Sequence, residues 1–259
     1  MERKINSFVR LIKIMDELRE KCPWDKKQTM KSLRYLTIEE LYELSDAILD
    51  DNTKEIKNEL GDILMHIIFY SKIASETNDF DIADVIDGVC DKLVHRHPHI
   101  YGNVEVKNEK EVKKNWERLK MKEGKKSVLE GVPNSLPAIV KSFRIQEKVR
   151  GIGFDWDNRN QVWDKVIEEM EELKLEIENG NQDKIESEFG DLLFSLTNYA
   201  RFISVNPEDA LEKTNKRFIS RFQIMEDLIK NENLSLDQMN LDQMDIYWNK
   251  AKEIYNTNK

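Results

Sequence analysis

Glu40 and Glu43 stand three residues apart, and Glu59 and Asp62 follow as a second pair at the same spacing. Three residues turn an α-helix by about 300°, so each pair sends both carboxylates to one face, one turn apart. The polar run between the pairs, DDNTK at 50–54, has the composition of a turn. Folding there sets two helices antiparallel and lets the pairs face each other across the seam. The same arrangement recurs at Glu169 and Glu172, then Glu188 and Asp191, with ENGNQDK between. Carboxylates brought together in this way repel, and a fold keeps them together when cations offset the repulsion. An all-oxygen donor set selects hard ions, so Mg²⁺ is the expected ion, with Mn²⁺ able to take its place. Carboxylate-held Mg²⁺ completes its shell with water and substrate phosphates. Two such ions can orient a water for in-line attack on a phosphate and stabilise the leaving group. A carboxylate not used up as a ligand can accept that water's proton.

A glutamate on a helix is usually a solvated surface residue. Here the second pair of each set runs directly into apolar helix. Ile63, Leu64, Ile67, Ile68 and Phe69 follow Asp62, and Leu192, Leu193, Phe194 and Leu196 follow Asp191. The pairs therefore sit at the edge of a buried face. A di-iron carboxylate site would need Glu-x-x-His on two helices. The second pair is Glu-x-x-Asp both times, and all four histidines lie in the first half. His95, His97 and His99 alternate beside Pro98, with no cysteine or carboxylate cluster at zinc-site spacing. The competing reading is a non-catalytic helical dimerisation or interaction protein, in which the carboxylates hold a structural cation.

Positioning these groups requires helices, and the chain is written for them. Nine Gly and five Pro in 259 residues leave little turn chemistry for a many-stranded sheet. Apolar residues at helical spacing predict helices over 3–20, 32–50, 53–76, 81–95, 138–150, 159–179, 182–204, 207–231 and 242–256. Residues 108–122 read as a short charged helix and HRHPHIYG at 95–102 as a loop. Adding 129 to Glu39, Glu40, Glu43, Glu59, Gly61 and Asp62 gives Glu168, Glu169, Glu172, Glu188, Gly190 and Asp191, with every type kept and no gap. With a small shift from that offset, Trp24-Asp25 matches Trp156-Asp157, and Trp116 with Lys120 matches Trp248 with Lys252. The fold expected is all-α, two tandem repeats each forming a four-helix-bundle-type core: 1–123, a linker at 124–137, and 138–259. A net charge of −9 argues against a nucleic-acid partner gripped through its phosphates, though not against a phosphate substrate bridged by cations. Two cysteines and no apolar run near 18 residues lead to the expectation of a cytoplasmic protein with no membrane partner.

EExxE followed sixteen residues on by ExGD resembles the all-alpha NTP pyrophosphatase family. CPWD at 22–25, ELGDILMHIIFYSKIA at 59–74, HRHPHIYG, GFDW at 153–156 and EFGDLLFSLTNYAR at 188–201 resemble its MazG-type members over nearly the whole chain. The resemblance implies hydrolysis of nucleoside triphosphates between the α and β phosphates, with Mg²⁺, in a homodimer. It implies Glu169, Glu172, Glu188 and Asp191 as metal ligands, with Glu168 orienting water beside Glu169 and Glu172 in the catalytic set. Glu40, Glu43, Glu59 and Asp62 keep the metal motif in the first repeat. Substrate contacts are expected from Lys165, Lys184, Arg217, Arg221, Trp248, Lys252 and Arg144. Arg217 and Arg221 are one helical turn apart, suited to gripping phosphate oxygens.

Overall fold

The computed structural model describes residues 1–109, 111–112, 115–116, 119 and 127–257. Lys120 and positions 124–126 of the expected linker lie outside the described residues, as does much of the expected helix over 108–122. Among the described residues the chain is helical, with two short 3₁₀ turns and no strand. It divides into two compact units, Met1–Val112 and Lys113–Lys259. The first holds α1 (Glu2–Lys21), α2 (Met30–Leu49), α3 (Thr53–Ser75), α4 (Ile82–Arg96) and the single turn α5 (Pro98–Tyr101). The second holds α6 (Ala138–Arg150), α7 (Arg159–Asn179), α8 (Gln182–Phe202), α9 (Pro207–Asn231) and α10 (Leu241–Thr257).

In the first unit α2 and α3 pair as a hairpin, and α1 and α4 pack on α3. In the second α7 and α8 pair as a hairpin, and α6 and α9 pack on α8, with α10 laid along α9. The duplicated sequence thus builds the same four-helix plan twice. The caps repeat as well. Thr29 and Ser32 form a reciprocal capping box at the start of α2, and Asn158 and Gln161, each 129 residues on, form one at the start of α7. Asn52 and Asn181 cap α3 and α8 by accepting from the backbone N–H of Glu55 and Lys184, both at 3.3 Å.

The hairpin turns are also equivalent. Asp51 (φ 52°) and Gly180 (φ 71°), again 129 apart, both take the left-handed conformation that ends the first helix and reverses the chain. In the first unit Met15, Leu33, Ile68 and Phe69 form the core; in the second Met225, Ile229, Tyr247 and Ala251 do so between α9 and α10. One sequence expectation is corrected. HRHPHIYG is not a loop: α4 runs through Arg96, and Pro98 opens α5 at a position where its missing N–H is no loss.

The turn carries a testable asymmetry. A Cβ on Gly180 would meet no other group within 4 Å, so only the backbone conformation opposes it. Gly180→Ala is expected to cost about 1 kcal/mol and Asp51→Gly to gain a smaller amount. Urea unfolding midpoints of the full chain check both signs.

Candidate functional site

The two hairpins bring together the carboxylates that the spacing singled out. In the first, one oxygen from each of Glu40, Glu43 and Glu59 lies within 4.8 Å of the others; in the second, the same holds for Glu169, Glu172 and Glu188. Asp62 and Asp191 stand outside these trios, three residues on from Glu59 and Glu188, and act on them through their charge. Each trio has a buried member, Glu59 at 8 % exposure and Glu169 at 5 %, and an exposed one, Glu43 and Glu172. The sites are therefore anchored at the helix seam and open at one side. Neither trio includes a histidine or a cysteine. An all-carboxylate donor set of this kind fits a hard divalent ion.

The repulsion is visible in proton affinities. Burial, then the charges of Asp62 and Glu43, push Glu40 above the ordinary carboxylate range, against a hydrogen bond to Glu59 that works the other way. Burial, then Glu43, Asp62 and Glu40, push Glu59 up. In the second unit burial, then Glu172, Asp191 and Glu169, push Glu188 up. The two sites differ in what surrounds them. Lys165 Nζ donates to Glu168 Oε1 at 2.8 Å and pairs with Glu169 Oε1 at 2.7 Å. These two bonds, that to Glu168 first, hold its ammonium well above its usual range. The position 129 residues earlier is Leu36. Lys184, whose Nζ pairs with Glu176 Oε1 at 3.1 Å, is matched in the first unit by Glu55. The first site thus lacks both cations and adds a negative charge, and Glu55 is among the charges acting on Glu59.

The remaining expected substrate contacts stand on other helices of the second unit. Arg217, Arg221, Trp248 and Lys252 gather on the α9–α10 hairpin. Arg217 donates to Thr214 Oγ1 at 3.1 Å, and Arg221 donates to Asn256 Oδ1 at 3.3 Å while lying 5.0 Å over the Tyr255 ring. Trp248 is half-buried, 5.1 Å from the Phe218 ring, and packs on the α9–α10 core. Lys252 lies 5.8 Å over Trp248. Arg144 pairs with Glu147 on its own helix at 2.9 Å.

Sequence reasoning missed a buried polar network beside the first trio. Thr37 Oγ1 lies 2.8 Å from His66 Nδ1 and 2.6 Å from Tyr70 Oη. Burial lowers the proton affinity of His66, with the charge of Asp62 opposing. At the matching positions the second unit has Val166, Ser195 and Tyr199, so the repeat offered no signal for it.

A family model, the MazG nucleotide pyrophosphohydrolase domain, matches the chain twice, over residues 28–101 and 158–223. Each span contains one carboxylate hairpin. The chain is 43 % identical over 250 residues to the nucleoside triphosphate pyrophosphohydrolase/pyrophosphatase MazG of Thermotoga maritima, covering 95 % of either chain. It is 37 % identical over 257 residues to a nucleoside triphosphate pyrophosphohydrolase of Escherichia coli K12, covering 96 % of this chain and 98 % of that one. A solved mazG-related protein from Thermotoga maritima aligns with a TM-score of 0.39 at 25 % identity, over 43 % of this chain and 97 % of that one.

The raised carboxyls fix a sign for pH dependence. A carboxyl that binds its proton more tightly when folded favours the fold at low pH, and that contribution is lost as pH rises from the ordinary glutamate range through the raised value. Metal-free protein is therefore expected to lose stability over that window. Glu188→Gln and Glu59→Gln should each raise the thermal midpoint at pH 7 in a chelator and flatten its pH profile. Calorimetry across pH 4 to 8 reads both, and a lower midpoint for either variant would contradict the repulsive picture.

Proposed function

This chain belongs to the MazG nucleotide pyrophosphohydrolase family, and we propose that its second unit hydrolyses nucleoside triphosphates to the monophosphate and pyrophosphate with Mg²⁺. The observation that carries the reading is the convergence of Glu169, Glu172 and Glu188 within 4.8 Å, in a chain this similar to two named nucleoside triphosphate pyrophosphohydrolases. Glu169, Glu172, Glu188 and Asp191 are the groups that would hold Mg²⁺, or Mn²⁺ in its place. Bound there, the ion supplies Lewis acidity toward the phosphates and toward the attacking water.

The chain's own groups have distinct tasks. Glu168 is exposed and tied to Lys165, which suits it to orient water beside the metal ligands. An ammonium has three donors. Glu168 and Glu169 take two of those of Lys165, so the third is available to a phosphate oxygen. Lys184, Arg217, Arg221 and Lys252 supply further positive charge for a polyanionic substrate. The first unit, with Leu36 and Glu55 in place of the two lysines, repels the same substrate more strongly, which favours the second unit as the site of turnover.

A homodimer accords with the apolar side chains left uncovered on both hairpins, including Leu41, Leu60 and Leu64 in the first and Met170, Phe189 and Leu193 in the second. The unpaired Cys22 and Cys90 suit a reducing cytoplasm. No helix among the described residues is long and apolar enough to cross a membrane.

Pyrophosphate release from the common NTPs and dNTPs with Mg²⁺ tests the reading. Glu172→Gln should lower kcat by about a hundredfold or more while the melting curve survives, whereas Glu43→Gln should keep most of the turnover. No pyrophosphate release by the parent protein, together with a lowered thermal midpoint in Glu172→Gln, would favour a structural cation site instead. Light scattering should give twice the 30.7 kDa chain mass.

A further inference from the structure

A further carboxylate stands beside the second trio and has no counterpart beside the first. Glu176 follows Glu172 by four residues on α7, and Lys184 precedes Glu188 by four on α8, so both continue the faces that carry the trio. They meet across the hairpin seam, where Lys184 Nζ donates to Glu176 Oε1 at 3.1 Å. The pair forms the next layer of the hairpin, about 6 Å along the helix axes from Glu172 and Glu188, on the side of the Gly180 turn. At the matching positions the first unit has Ala47, which is buried, and Glu55, so it can form no such pair.

The two partners are unequal in exposure. The Glu176 side chain is only 13 % exposed, whereas that of Lys184 is 60 % exposed. The carboxylate is held at the seam, and the ammonium can leave it on a flexible four-carbon stem. Leaving costs free energy, because a carboxylate so far out of water needs a counter-charge. Glu176 also adds its charge to those acting on Glu188. In metal-free protein Lys184 is therefore the cation that Glu176 requires, and a phosphate must compete for it with a carboxylate already in place.

The competition changes when the trio holds a divalent ion. Glu176 then has positive charge about one helical turn away, inside the Debye length of about 8 Å at physiological salt. Its need for Lys184 falls, and the ammonium becomes available to the phosphate that the ion brings. Glu55 and Ala47 give the first unit nothing to release in this way.

We propose that Glu176 is a positioning residue that holds Lys184 away from phosphate until a divalent ion occupies the trio, so that the second unit takes up metal-bound polyphosphate in preference to bare polyphosphate. The proposal rests on the reading of the trio as the metal and phosphate site, and adds to it the condition under which the lysine is free.

Calorimetric titration of the full-length protein with inorganic tripolyphosphate, once in chelator and once in Mg²⁺, reads that condition without hydrolysis of a nucleotide. Glu176→Gln should tighten tripolyphosphate about fivefold in chelator and alter it by less than about twofold in Mg²⁺, so the advantage given by the metal shrinks. Glu176→Ala places there the residue type that the first unit buries, and stands as the second variant should Glu176→Gln misfold. Lys184→Ala should weaken tripolyphosphate in Mg²⁺, and in that background Glu176→Gln should have no effect in chelator. Unchanged or weaker binding in chelator by the Glu176 variants, including no measurable binding by either, overturns the proposal. A gain that persists in the Lys184→Ala background overturns it too, since it marks plain repulsion between Glu176 and phosphate. If the parent shows the expected pattern but releases no pyrophosphate from any NTP, the restraint on Lys184 stands and the hydrolytic reading falls. If the parent binds no tripolyphosphate even with Mg²⁺, both fall.

Discussion

Carboxylates held within 4.8 Å of one another are a liability in a metal-free protein, and each unit of this chain is arranged around keeping them there. The attraction that would offset the liability comes from outside the chain, through divalent cations and the phosphates they bring. The helices must therefore supply rigidity that the site itself does not. They do so through local bonds of modest strength, repeated in kind: a capping box at the start of the first helix of each hairpin, a left-handed residue at its end, and an asparagine cap on the second. Such bonds contribute about 1 kcal/mol each. Together with the packing of each hairpin's two helices, they hold Glu40 near Glu59 and Glu169 near Glu188.

The two units balance the same repulsion differently. In the second, Lys165 spans Glu168 and Glu169 and so places a positive charge at the buried edge of the trio. In the first, Leu36 fills that place with an apolar side chain, and a hydrogen bond between Glu40 and Glu59 does part of the work of the missing cation. The ammonium of Lys165 can remain when a metal ion arrives and turn toward phosphate. Equal metal motifs thus do not make equal sites. The charge at two neighbouring positions, 36 against 165 and 55 against 184, separates a trio suited to receive a polyanion from one that resists it.

Most of the architecture was legible because helix periodicity and capping are local properties. The boundaries over 138–150, 159–179 and 207–231 agree with those observed, since each is marked by Pro, Gly or Asn at its end. The carboxylate trios were legible in part for a related reason: i, i+3 spacing fixes a shared face, but it grouped Asp62 and Asp191 with them, and the helix crossing leaves both outside the closest cluster. What escaped depends on contacts distant in sequence. The Thr37–His66–Tyr70 network joins α2 to α3, and nothing in either segment alone marks it. Trp248 was expected as a substrate contact, and the packing of α10 on α9, which seats it half-buried against Phe218, was not marked in its own segment. The loop expected at 95–102 became helix because Pro98 stands at a first helical position, where it starts a turn as readily as it stops one.

The same distance dependence explains why GFDW had no role from spacing alone. Its residues acquire one only when the 151–157 turn is laid against α8, so that Asp155 anchors Arg201 and leaves Phe154 and Trp156 bordering open space. An ion pair that fixes a turn while its neighbouring aromatics stay uncovered is poor economy for stability, because the apolar area remains in water. The corresponding region of the first unit takes the cheaper course and closes Phe69 into the core with Met15 and Ile68. Two copies of one plan, under the same packing rules, differ here by a choice against burial in the second, and an open cavity between α6, the 151–157 turn and α8 is the physical consequence.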